Sequence, residues 1–196
     1  MIRQFPVIPT IIVIAAAATM VLLGFWQLGR MDEKGALIAR YASAVQSGAQ
    51  VAWPRSAEDY EQALYSPSSV KCERVLGLGA ISGTSERGGK GWAHVARCAL
   101  PDGSEADVAL GYSRDPNPGE WAGGEVSGVI APARNSIKLV AVPPQAGLEQ
   151  LARPDPNDMP NNHLAYAGQW FFFALTALGI YWLAVRKRVA RPAREG

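Results

Sequence analysis

Histidine and cysteine are scarce in this chain, with two of each among 196 residues. No CxxC, HExxH, GxSxG or Walker A pattern occurs, so the usual catalytic constellations are missing and the chain reads as a non-enzyme. The near misses have structural readings. Gly77-Leu78-Gly79 lies inside a strand pattern and lacks a third glycine, while Gly83 to Gly91 carries Lys90 without phosphate-loop spacing. They read as a strand kink and a hairpin turn. Internal repeats and long low-complexity tracts are absent too. The net charge of +2 arises at the ends, and Gly35 to Asn162 holds more Asp and Glu than Lys and Arg. That distribution excludes a nucleic-acid partner.

What the chain does have is two long runs without charge, Val7 to Leu28 and Leu164 to Val185. Each matches the roughly 20 residues that cross a bilayer as a helix, and neither alternates like a barrel strand. Ala15 to Ala18 would suit a signal-peptide cleavage site, but the apolar run continues through Met20 to Phe25 and only Arg3 precedes it. An uncleaved anchor is the better fit. Arg186, Lys187, Arg188, Arg191 and Arg194 follow the second run, and such a cluster stays on the cytoplasmic side. Two spans then place both termini inside and the middle of the chain outside. The expected location is a bacterial inner membrane, multi-pass, with the domain in the periplasm, or the equivalent mitochondrial membrane.

Between the spans, Met31 to Val45 has helical spacing, Trp53 and Pro54 are expected to end that helix, and Glu58 to Leu64 suits a further short one. Strand patterns follow at Val70 to Ile81, Trp92 to Leu100, Ala106 to Tyr112, Gly124 to Ala131 and Ile137 to Val142, separated by Gly-, Pro- and Asp-rich turns. The fold expected is an α+β membrane protein: two transmembrane helices flanking a small antiparallel β domain, either a sandwich or a partly open barrel. Its parts are a cytoplasmic N-terminus (1–6), a first span (7–28), an outer helical connector (29–69), the β domain (70–142), a linker (143–162), a second span (163–185) and a basic tail (186–196).

Cys72 and Cys98 fall on two predicted strands in an oxidising compartment, where a disulfide, two free core thiols or a Cu(I) site are the alternatives. His94, alone within a strand, reads as an ordinary half-buried side chain.

The most informative residues lie at the outer ends of the spans. Trp26, Gln27 and Arg30 close the first; His163, Tyr166, Gln169 and Trp170 open the second. His163, Tyr166 and Trp170 are three and four residues apart, a spacing that stacks side chains on one helix face. An aromatic belt would explain the rings. It does not explain a histidine and two glutamines, which at membrane depth should face a partner helix, a ligand or another subunit.

These segments, Leu23-Gly-Phe-Trp-Gln-Leu-Gly-Arg30 and Pro160-Asn-Asn-His-Leu-Ala-Tyr-Ala-Gly-Gln-Trp-Phe-Phe-Phe-Ala174, closely resemble the two motifs of the Surfeit-locus (Surf1/Shy1-like) family of cytochrome c oxidase assembly factors. The order of spans and domain also agrees. One departure lies on the strand Ala106 to Tyr112, where Leu110-Gly111-Tyr112 stands for the family's frequent Arg-Gly-Trp. The resemblance implies a chaperone-like factor that serves a haem-copper oxidase and binds haem a, with the oxidase catalytic subunit, the haem a synthesis machinery and the lipid bilayer as partners. On that implication His163 is the candidate iron ligand, Tyr166, Trp170, Gln169, Trp26 and Gln27 surround the haem, and Arg30 meets its propionates. A cofactor-free scaffold that holds an oxidase subunit is the alternative. For His163 the alternative is a hydrogen bond to lipid headgroups or to Gln27.

Overall fold

The structure, a computed structural model, describes residues 6–190; Arg3, Arg191 and Arg194 lie outside the described residues. Two helices are long and apolar enough to cross a membrane. The first, α1 (Val7–Ser47), runs unbroken for 41 residues, or about 60 Å at ~1.5 Å per residue, twice the thickness of a hydrocarbon core. It stops six residues short of the expected Trp53. Gly48 adopts φ +60 there and its N–H still donates to Ala44 O at 3.3 Å, so a left-handed glycine terminates the helix before tryptophan or proline is reached. The second long helix, α3 (His163–Ala190), closes the described chain, and a short α2 (Ala57–Ala63) lies between.

The chain divides into two compact units: residues 38–159, and the helical residues before and after them. In the helical unit, α1 and α3 pair along a seam of small residues. Ala17 and Gly24, and Ala167 and Ala174, are buried, each pair seven residues apart. Thr10 and Tyr181 extend both series, and their hydroxyls hydrogen-bond to each other. Small residues let two backbones approach closely where apolar packing against lipid offers no preference, and a seven-residue repeat favours a left-handed crossing. At Gly24 the approach is so close that an added Cβ would stand 2.5 Å from the Phe171 ring. The outward surface is apolar and uncovered: Ile8, Ile11, Leu22, Leu164, Phe172 and Leu175 are all more than half exposed. A soluble protein rarely tolerates such a surface, whereas lipid covers it without cost.

The other unit holds one six-stranded sheet in the order β1-β5-β6-β4-β3-β2, built from β1 (Pro67–Cys72), β2 (Arg74–Thr84), β3 (Lys90–Ala99), β4 (Glu105–Ser113), β5 (Gly124–Pro132) and β6 (Ile137–Ala141). The sheet is mixed, which corrects the expected purely antiparallel pairing: β4 and β6 run parallel, with Val108 opposite Leu139. The connection 114–123 carries β5 one place too far to pair with β4, and β6 then fills the gap. Alternation along a strand shows which face is buried, not which neighbour it takes.

The predicted strand Val70 to Ile81 is two strands that part only at Glu73. β1 pairs β5 up to Cys72, and β2 pairs β3 from Arg74 onward. One continuous run therefore serves both edges of the sheet. Gly77 follows a register shift in β2, and the Ser85–Gly89 turn joins β2 to β3. Leu110, Val108, Ile130, Leu139 and Val126 fill the interior. The predicted linker does not hang free over its first half: Glu149 bridges Tyr112 and Leu151 bridges Ser85, with Leu151 buried.

Candidate functional site

At the point where α3 begins, the chain arrives through Pro160-Asn161-Asn162. Asn162 occupies the position before the first helical residue, where asparagine is favoured, and Asn161 Nδ2 donates to the Met31 carbonyl of α1 at 3.4 Å. His163 is thereby set against α1, with its Nδ1 at 2.7 Å from Gln27 Oε1. The ring is half-buried, and no group among the described residues bonds Nε2. Of the hydrogen-bond alternatives for His163, the structure shows the one to Gln27.

The other sequence-predicted residues separate by face. Trp170, seven residues from His163, is half-buried on the same side, its ring edge-on to Phe173 at 6.4 Å between centroids. Tyr166, Gln169 and Trp26 are exposed, so His163 and Tyr166 do not share the buried face as their spacing suggests. The reason is that Ala167 and Ala174 define the contact with α1, and at about 100° per residue Tyr166 falls to one edge of it and Gln169 beyond. Arg30 is exposed and ion-paired with Glu33 one helical turn on.

Three contributors to the helix pair escaped sequence reasoning: the Asn161–Met31 bond, the Thr10–Tyr181 bond, and the T-shaped packing of Phe25 on Phe171, 5.4 Å between centroids. The seven-residue recurrence of Thr10, Ala17 and Gly24, matched by Ala167, Ala174 and Tyr181, is the signal that points to the seam and to the Thr10–Tyr181 bond.

In the sheet unit, Cys72 and Cys98 form a disulfide, Cα–Cα 5.1 Å, which disposes of the free-thiol and Cu(I) alternatives. No cluster of three or more His, Cys, Asp or Glu occurs among the described residues. His94 is only 2 % exposed, deeper than expected, and its Nε2 lies 2.9 Å from the Asp115 carbonyl. Gly111 and Tyr112 have a structural role: a Cβ at Gly111 would sit 2.5 Å from Leu148 Cβ, and the Tyr112 hydroxyl donates to Lys90 O at 3.0 Å. A cleft of about 450 Å³ beside the sheet has Ala93, Ala109 and Val140 in its wall and Lys138 on its lining. Burial pushes the Lys138 ammonium below the usual lysine range, with Asp107 opposing.

Compared with known proteins, the chain matches the SURF1 family model over residues 14–175, which spans the helix pair and the sheet unit alike. No curated protein matches it.

Proposed function

The chain belongs to the SURF1 family, whose members are membrane-associated assembly factors for cytochrome c oxidase, and we propose that within that role it holds haem a at the outer membrane edge and passes it to the oxidase catalytic subunit. The sheet unit then lies in the periplasm, and α1 and α3 cross the inner membrane.

One observation carries this reading: His163 stands at the mouth of an apolar helix pair with Nε2 unengaged. The donor set fits haem. A neutral imidazole nitrogen is a common axial ligand, Trp170 offers an aromatic face on the same side, and Arg30 offers a guanidinium for propionates in exchange for Glu33. Bound haem would supply an iron centre and a flat apolar macrocycle; every other part of the task falls to the chain. Tyr166 and Gln169 point outward, and an amide ~9 Å below the level of His163 needs a ligand or another subunit to satisfy it. That outward face is where the receiving subunit would dock.

Purification in mild detergent tests the reading by absorption spectroscopy. Haem is expected to copurify in stoichiometric amount; His163→Ala should abolish its spectrum while membrane insertion and protein amount stay the same, and Trp170→Ala should weaken retention. Haem retained by His163→Ala at the wild-type ratio and spectrum removes His163 as ligand. Absence of haem from the wild-type protein leaves the cofactor-free scaffold.

A further inference from the structure

We propose that Gln27 is a positioning residue that selects the imidazole tautomer of His163, so that Nε2 presents a lone pair. The inference rests on the haem-ligand reading for its purpose but not for its evidence. Gln27 Oε1 is an acceptor, and it lies 2.7 Å from His163 Nδ1. A carbonyl oxygen offers no proton, so Nδ1 must carry one and donate it. In a neutral ring the other nitrogen is then bare. Nε2, which no group among the described residues engages, is left as the basic atom.

The neighbouring bonds fix the amide's partner in place. Asn161 ties the approach to α3 to the Met31 carbonyl, and Phe171 seats against Gly24 one turn before Gln27. The histidine therefore meets Gln27 in a set orientation, and the amide is not required to touch the ligand at all. Metal-bound histidines generally donate the second ring N–H to an oxygen acceptor, which fixes the tautomer and raises the basicity of the ligating nitrogen. In the helix pair that acceptor is already in place before any ligand arrives. Gln27 is thus assigned to the histidine, whereas the family resemblance groups it with the haem contacts.

The test is ¹⁵N NMR of haem-free full-length protein in detergent micelles at a pH where the ring is neutral. With two histidines in the chain, the His163 signals are identified by their loss in His163→Ala. The expected wild-type pattern is a protonated Nδ1 and an unprotonated Nε2. Gln27→Ala should give a mixture of tautomers; Gln27→Glu, which keeps an acceptor at the same reach, should restore the Nδ1–H form. On haem-loaded protein, Gln27→Ala should weaken haem retention by about 10- to 100-fold, with Gln27→Glu recovering most of it. A wild-type ring protonated at Nε2, or an unchanged tautomer ratio in Gln27→Ala, overturns the proposal. Because the NMR arm uses no haem, its failure is separate from failure of the ligand reading, which the His163→Ala spectrum decides.

Discussion

Single side chains show how local physics and function part company in this protein. Lys138 sits on β6 and lines the cleft beside the sheet, where desolvation lowers its pKa. The unfolded chain keeps the ordinary value, so between the two values the unfolded state binds more protons and stability rises with pH. Below that window both states are charged and the folded state bears the full desolvation cost. Lys138→Met is therefore expected to raise the melting temperature at pH 7, by an increment that shrinks as the pH is taken toward 10. An increment that holds constant or grows over that range would show that packing, not charge burial, governs the site. His94 teaches the complementary point: each histidine has one ring nitrogen without a partner among the described residues, but that of His94 is sealed inside the sheet unit, whereas His163, half-buried at a helix start and bonded to an amide, keeps its nitrogen accessible.

At the level of elements, two polar bonds mark the ends of the helix pair, Thr10 to Tyr181 and Gln27 to His163. Along α1 they are about 26 Å apart at ~1.5 Å per residue, close to the thickness of a hydrocarbon core. The Thr10 hydroxyl donates to Pro6 O at 2.7 Å, and so accepts from Tyr181. Interhelical hydrogen bonds in membranes average near 0.6 kcal/mol, since partly unfolded states find other partners. A double-mutant cycle of Thr10→Val and Tyr181→Phe, followed by unfolding in mixed micelles, should return a coupling of about that size. A coupling indistinguishable from zero would show that this bond adds nothing measurable to the pairing. Arg186 over the Trp182 ring, 5.4 Å from its centroid, shows the amphipathic pairing typical of a membrane boundary.

Across the molecule, the disulfide is the covalent tie between strands far apart in the sheet order. Cys72 ends β1, Cys98 lies within β3, and the bond spans 26 positions, joining strands from opposite parts of the sheet order where the continuous β1–β2 run changes partners. Closing a loop of that length removes unfolded-state freedom worth about 3 kcal/mol. Replacing both cysteines by alanine in the full-length protein should lower the unfolding free energy of the sheet unit by roughly that amount. On the proposed periplasmic placement the bond should persist in cells, since oxidising compartments outside the cytoplasm maintain such disulfides. Thiols blocked in intact cells and then reduced should reveal two new labelling sites; complete labelling without reductant would contradict both the bond and a periplasmic domain.

Much of this organisation is legible from residue order alone, and the reason is that local patterns report local physics. Uncharged runs show the two apolar helices, turn residues bracket the strands to within a few positions, and the motifs at Leu23–Arg30 and Pro160–Ala174 indicate the family. Pairing is a different matter, since it depends on contacts between segments distant in sequence, which alternation along one strand does not report. The parallel β4–β6 contact, the change of partner at Glu73 and the return of Glu149 to Tyr112 involve residues far apart in sequence. The same holds at the candidate site. Spacing on α3 groups His163 with Tyr166 and Trp170, but only the packing of Ala167 and Ala174 on α1 decides that His163 turns inward to Gln27 while Tyr166 and Gln169 face outward.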